Sequence, residues 1–458
     1  MESAPSPPSS FGSILREKNF ARLWYGQIIS SFGDRFYSFA LLSVILGIKQ
    51  GLEAGKDSAQ VTFCAMLPGL LLAPLYGWIV DRFSRRWVMI YADVIRAGLT
   101  LTVLYFWFEV HSLIAVYGIV FLMGALNGLF IPARQSALPQ IVAPHELVKA
   151  NALISLIGVI ANFVGMPVAS LVVSIFGPWS SFFFNSVGFL ISAWCVYHIR
   201  ADLAPTHSPA TAGAVGTWRG ALAGFGVLRE QRELGPLVLV NSALSFISAV
   251  VLISLVQQVV VKVDLAPVQA LVGPLGNFLK HFAPKPPTFE IKTLAFGLLM
   301  AAVGLGIGIG AAACGGATRL SRSKALPYGG LFLLGLALMG EAELRTYVPA
   351  VLGAGCLGVL SAFVLIPIEA RLQNDVDDAR RGRLFALRNL CTTTSFLAGL
   401  AVNLNGKLLA QVGPAGLIEA TGMAAVLIAA GLALANVATL RSFWPTRHHP
   451  SSAPNSAV

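Results

Sequence analysis

Long apolar runs separated by short polar breaks recur along this chain from Phe20 to Leu440. Most are close to the roughly 20 residues that carry a helix across a hydrocarbon core. Cutting the runs at their polar or Pro/Gly-rich breaks predicts about twelve spans, over 20 to 48, 59 to 80, 87 to 108, 112 to 133, 149 to 176, 179 to 199, 235 to 261, 294 to 317, 325 to 340, 347 to 369, 384 to 411 and 416 to 440. An even number of crossings returns the chain to the side on which it began.

The breaks are unequal. Between Arg200 and Gly235 the hydropathy falls, and LAPTHSPATAGAVG parts six spans from six more. This predicts a tail over 1–19, a six-helix bundle over 20–200, a linker over 201–234, a second bundle over 235–440 and a tail over 441–458. In the linker, Trp218, Leu222, Phe225 and Leu228 recur at helical spacing beside Arg219, Arg229 and Arg232, the pattern of an amphipathic helix on the membrane face or of a solvated linker helix. The loop from Lys262 to Lys292 carries its own apolar stripe from Val268 to Phe282, which predicts a further helix in the opposite interface. Two segment pairs, IPARQSALPQ with IPIEARLQ and DRFSRR with TRLSRSK, recur roughly 235 to 238 residues apart, as parallel repeated halves would. The expected fold class is an all-α membrane protein with twelve transmembrane helices in two six-helix pseudo-symmetric bundles.

Composition agrees with lipid as the solvent. Apolar residues make up 56% of the 458 positions and charged residues 12%, against roughly 25% charged in soluble proteins. The net charge of +11 does not point to nucleic acid, because the basic residues sit in short loops rather than on one polar face. Loops on the side of the termini hold most of the Lys and Arg, including Arg82, Arg85, Arg86, Arg134, Arg200, Arg371 and Arg380. That side, with both termini, is expected to be cytoplasmic and the membrane the inner one. MESAPSPPSS has neither a basic start nor a cleavable apolar core, so the first span is expected to be retained. The five cysteines lie in apolar stretches without metal-type spacing, which predicts inert thiols.

One loop is specific. GWIVDRFSRR, with Gly77, Asp81, Arg82, Arg85 and Arg86, resembles the G-x-x-x-D-R-x-x-R-R loop of the major facilitator superfamily, and it falls between spans two and three as it does there. Gly77 is expected to permit close helix approach. Asp81 is expected to face the positive amino-terminal end of span eleven, near Leu384, and so hold an inner gate shut. The resemblance runs from Phe20 to about Gln411 and is nearest to bacterial lysophospholipid transporters, through SSFGDRFYSFALL, LLAPLYGWIVDRF, RRWVMIYADVIRA, PARQSALP, LVKANAL and IPIEARLQ. Macrolide and siderophore exporters are similar through several of these segments. Two departures stand out: NSALSFISAVVLISLVQQ in span seven has no cation to meet a phosphate, and the second-half loop has no acid matching Asp81.

Within the spans, Asp34 lies near the middle of the first, where an ionised carboxylate normally faces a partner or a wet cavity. Gln27, Ser31, Asp34 and Ser38 draw a polar stripe along that helix. Asp34 is the first candidate for binding a cationic head group or the coupling ion, with a buried pair to Arg35 or Arg96 as the structural alternative. Asp93 and Arg96, one turn apart, predict a local network near the gate. Arg134 and Glu369 end spans four and ten and are expected to meet as a latch unless they are ordinary loop charges. Asn127 and Asn241, with Asn162 and Asn185, are candidates for the cavity wall or for helix–helix hydrogen bonds. No nucleophile elbow, P-loop or metal-spaced cluster occurs, so neither catalysis nor a cofactor is expected.

The resemblance implies a secondary active transporter working by alternating access, its substrate a lysophospholipid. Proton-coupled efflux of an amphipathic drug-like compound or siderophore is the second expectation, and a non-transporting sensor or membrane-embedded enzyme the reading from another class. The expected partners are a small-molecule or lipid substrate, the lipid bilayer and a coupling proton or sodium ion.

Overall fold

A computed structural model describes residues 14–435 apart from 49–51, 109–111, 205–217, 232, 262, 271–290, 317–322 and 324. The helix expected over Val268 to Phe282 and the second-half loop compared with Asp81 therefore lie largely outside the described residues.

Fifteen α-helices account for almost everything described. They are α1 (Lys18–Ile48), α2 (Leu52–Leu71), α3 (Ala73–Arg82), α4 (Arg85–Phe108), α5 (Leu113–Ile141), α6 (Leu147–Ile160), α7 (Met166–Phe176), α8 (Pro178–Tyr197), α9 (Trp218–Glu230), α10 (Leu234–Val261), α11 (Ile291–Gly316), α12 (Leu326–Glu343), α13 (Tyr347–Asn374), α14 (Asp378–Leu404) and α15 (Gly406–Ala435). Every predicted span coincides with one of these helices or with an interrupted pair. Among the described residues, nine helices are long and apolar enough to cross a membrane, or ten when the bent pair α2 and α3 counts as one. Apolar side chains that face outward, such as Leu352 and Leu427, are the lipid-facing counterpart of that composition.

Four interruptions have local causes. Pro68 and Pro74 each remove a backbone donor near Leu72, and α2 and α3 meet there at 58°. The Leu72 N–H and the Tyr76 hydroxyl both donate to the Pro68 carbonyl, at 2.8 and 3.1 Å, so the bend leaves that oxygen satisfied. A π-helical turn over Ala161–Gly165 joins α6 to α7 just before Pro167, whose ring cannot continue the ordinary ladder. Gly177 and Gly413 each adopt a positive φ, 80° and 73°, and each precedes a proline that restarts a helix. Their separation falls within the repeat spacing seen in the sequence, so the two halves turn the same corner with the same dipeptide.

Packing repeats in the same register. α1 packs on α7 and α8, α4 on α5 and α8, and α2 on α5. In the second half α10 packs on α14 and α15, α12 on α13 and α15, and α11 on α13. The halves meet through α7 with α11 and α2 with α14, which are exchanged by the same two-fold relation. The fold is an all-α membrane bundle of two pseudo-symmetric groups.

The two ends of the bundle differ. At the end away from the termini, called here the far end, Phe39 packs on Phe296, Gly297 lies against Ser170, and Gly55 against Gln257. Ala59, Ala249, Ile253, Leu397 and Leu400 form a buried cluster across the same junction. At the near end, α3 packs on α2 and α5, with no comparable packing on α14. Among the described residues, the halves are joined at the far end and separated at the near end. The linker helix α9 packs along α14, where Gly224 lies against Arg383 and Leu387 and where Arg380 pairs with Glu230. Leu222 and Phe225 of α9 are exposed.

Candidate functional site

A cavity of about 410 Å³ lies between the halves. Its polar wall is formed by Asp34, Arg35 and Ser38 of α1, Arg96 of α4 and Asn127 of α5. Helical geometry explains the grouping: residues 34, 35 and 38 fall on one side of α1, and α4 and α5 each contribute one polar position facing it. The rest of the lining is largely apolar and includes Phe296, Phe396 and four methionines, Met66, Met123, Met166 and Met300. Four of the chain's eight methionines thus line one cavity, giving it a polarizable wall that adapts its shape to what it holds.

Asp34 makes no ion pair among the described residues, although Arg96 and Arg35 are the charges that bear on it. Arg96 pairs instead with Asp93, and both are almost fully buried. The Arg96 guanidinium also stacks over Phe189 and Phe130, at 4.3 and 5.0 Å from the ring centroids, and donates to Asn127 Oδ1 at 3.4 Å. Arg35 packs against Gly165 in the π-helical turn, and its Nε is buried without a hydrogen-bond partner among the described residues. Asp34 therefore faces the cavity in a field set by two guanidiniums, one of them anchored to another acid.

The other predicted residues are distributed as follows. Gln27 is buried and bonded to Ser192 and Arg134, at 3.4 and 2.7 Å, so it braces α1 against α8 and α5. Ser31 lines a second, smaller cavity with Arg134. Asn241 is buried with its Nδ2 unpartnered among the described residues and does not line the central cavity, and Asn185 donates to Thr100 at 3.4 Å.

Three of the expected gating contacts are not made among the described residues in this conformation. Arg134 and Glu369 do not meet: Arg134 bonds Gln27, and Glu369 pairs with Arg388 of α14. Gly77 mediates no close approach, since a Cβ there would meet nothing within 4 Å, whereas one at Gly124 would lie 2.0 Å from the Ala65 carbonyl oxygen. The close crossing of the second and fourth spans thus sits at Gly124. Asp81 is exposed and not against α14, because the near ends of the halves are apart. The basic residues of that loop are held by the first half and the start of the linker: Arg85 donates to the Ala204 carbonyl, Arg86 to the Ala201 carbonyl at 2.6 Å, and Arg82 lies 5.7 Å over Trp78.

A two-fold bundle with a charged cavity at the junction of its halves and a D-R-x-x-R-R loop at one end is a narrow combination. The sequence profile described as Major Facilitator Superfamily matches residues 23–400. The chain belongs to the Major Facilitator Superfamily. Among superfamily relatives, it is 24% identical to the MFS-type transporter YfiS of Bacillus subtilis (strain 168), over 84% of this chain and 86% of that protein. It is 26% identical to the MFS-type transporter Rv0037c of Mycobacterium tuberculosis (strain ATCC 25618 / H37Rv), over 87% of each. Macrolide efflux protein A of Streptococcus pyogenes is 24% identical over 50% of this chain and 55% of that protein. Among solved structures, a bacterial homologue of the iron transporter ferroportin in an inward-facing state superposes with a TM-score of 0.61 at 17% identity, covering 92% of this chain and 99% of that one. The nucleoside transporter NupG gives 0.60 at 13%, with the same coverage. The protein is a multi-pass membrane transporter of the superfamily type.

Sequence reasoning missed the apolar side of the site. Tyr37, Phe296, Phe396 and the four methionines are cavity residues that look like any lipid-facing position in an apolar run. The one available signal was the methionines, each set at a comparable depth of its span.

Proposed function

We propose that this protein moves an amphiphile with a charged head group across the cytoplasmic membrane by alternating access, and that a zwitterionic lysophospholipid is the compound class that fits. The observation that carries this reading is the composition of the central cavity: Asp34, without an ion pair among the described residues, beside Arg35 and Arg96, in a lining otherwise rich in Met and Phe side chains. Asp34 would take the ammonium of the head group, Arg35 and Arg96 the phosphate, and the thioether and aromatic wall the start of the acyl chain. The cation that span seven lacks is thus supplied by spans one and three. The Lys/Arg excess on the near-end loops supports assigning that end, with both termini, to the cytoplasm. In that orientation the structure is inward-open. The boundaries proposed for its working parts are 20–200 and 235–440, with the linker strapped to α14.

A second reading is proton-coupled efflux of a drug-like amphiphile, with Asp34 as the proton site. The similarity to macrolide efflux protein A over half of the chain favours it. Reconstitution in liposomes separates the two readings. Lysophospholipid flipping that is abolished by Asp34→Asn without an imposed proton gradient supports the first, and gradient-driven dye efflux abolished by the same substitution supports the second. A wild-type protein active in neither assay, and binding neither ligand, would sink both.

A further inference from the structure

A second cavity, of about 290 Å³, lies on the near-end side of the first. It is walled by Ser31 of α1, Arg134 and Gln135 of α5, and Asn151 and Ser155 of α6. The same two helices carry both cavities. On α1, Ser31 belongs to the second cavity and Asp34 and Ser38 to the first; on α5, Arg134 belongs to the second and Asn127 to the first. Seven residues of helix separate Asn127 from Arg134, about 10 Å along the axis. The polar stripe of α1 thus runs from one cavity into the other.

The second cavity is positively charged and holds no acid. Arg134 makes no ion pair with a carboxylate among the described residues; one nitrogen donates to Gln27 Oε1 at 2.7 Å, and its Nε is buried without a hydrogen-bond partner. Arg96 is the charge that bears on it, and it has the same sign. Asn151 and Ser155 donate to backbone carbonyls of α6, at 2.9 Å each, whereas Ser31 and Gln135 make no hydrogen bond among the described residues. A part-buried guanidinium without a counter-ion, flanked by two groups able to donate, is stabilised by an arriving oxyanion.

We propose that this cavity is an oxyanion subsite on the approach to the central cavity, in which Arg134 holds the phosphate or carboxylate of the substrate's head group before Arg96 and Arg35 take it. The inference rests on the transport reading above. It is distinct from the latch expected for Arg134, because the partner is a ligand rather than Glu369.

The test is equilibrium binding to the full-length protein in detergent, with three probes: a lysophosphatidate, the monoacylglycerol of the same chain length, and inorganic phosphate. Arg134→Gln is expected to weaken lysophosphatidate binding about tenfold and leave monoacylglycerol binding unchanged, while Arg134→Lys keeps most of the affinity. Ser155→Asp, on an exposed position of the same cavity, places a carboxylate beside Arg134 and is expected to weaken lysophosphatidate binding as much. It decides the matter if Arg134→Gln does not fold. Inorganic phosphate that competes with lysophosphatidate in the wild type identifies a site open to free anions; failure to compete identifies one that requires the lipid. Unchanged lysophosphatidate affinity in both Arg134→Gln and Ser155→Asp would overturn the subsite and leave the transport reading standing. A wild type that binds neither amphiphile would overturn the subsite, and lysophospholipid flipping that persists in that protein would leave the transport reading standing.

Discussion

Arg96 is the side chain on which the polar interior of the first half depends. It is 3% exposed, yet its charge is met by Asp93, by two aromatic faces and by Asn127, and it remains one of the two cations acting on Asp34. Taking away one partner of such a buried pair strands the other charge, which typically costs about 3–5 kcal/mol. Asp93→Ala is expected to lose stability of that order in chemical unfolding of the detergent-solubilised protein, and Asp93→Ala with Arg96→Met to lose clearly less than the two single losses added. Simple additivity would show that the pair is not coupled. Much of this was legible in the sequence, because an acid or a base in an apolar span is conspicuous, and Asp34 and Asn127 do share a cavity, but Arg96, expected in a network near the gate, lines that cavity too. What was not legible is which partner each charge takes. Arg134 and Glu369 occupy matching helix ends, but each has a nearer partner within its own half.

At the scale of helices, the apolar runs located the spans because length and hydropathy are one-dimensional properties. Their facing was hidden: helices apolar all round carry little periodic signal to distinguish lipid, neighbour and cavity. Glycines supply part of what periodicity cannot. In α11 and α13, a Cβ at Gly306 would lie 2.0 Å from the Gly355 carbonyl oxygen, and one at Gly358 would lie 2.1 Å from that of Val303. The two backbones are in direct contact, and neither can yield as a flexible side chain would. Gly315 on the same helix faces open space. Gly306→Val is therefore expected to destabilise the protein by about 1–3 kcal/mol, with loss of monodisperse protein on size exclusion, while Gly315→Val is tolerated. Equal behaviour of the two variants would contradict the seam. The interruptions in α2–α3, at the π-helical turn and at Gly413 were written in the sequence as Pro68, Pro74, Pro167 and the Gly413–Pro414 pair. The Gly413–Pro414 pair falls in the break between the spans ending at 411 and starting at 416, whereas Pro68, Pro74 and Pro167 lie inside undivided spans because hydropathy averages over such positions.

The molecule as a whole is poised by contacts at its two ends, and only one end is engaged. At the far end, a Cβ on Gly297 would lie 2.1 Å from Ser170 Oγ and 3.4 Å from Phe39, so this glycine sets how closely the halves meet. At the near end, Asp81 is exposed and can approach the amino-terminal end of α14 only if the halves close there. One residue thus acts in each state, and substitutions at the two should move the equilibrium in opposite directions. Gly297→Val crowds the far-end junction and is expected to raise the outward-open population; Asp81→Asn removes an attraction present only when the near end is shut and is expected to lower it. Each change of about 1.4 kcal/mol shifts the ratio of states tenfold. The readout is labelling of a cysteine introduced as Thr62→Cys, in the far-end part of the central cavity, by an impermeant maleimide added outside the cell. Labelling should quicken with Gly297→Val and slow with Asp81→Asn. If Gly297→Val leaves the rate unchanged, the far-end junction does not control opening; if Asp81→Asn does, the acid of the D-R-x-x-R-R loop does not hold the near end shut, and the gate must lie in other contacts between the halves.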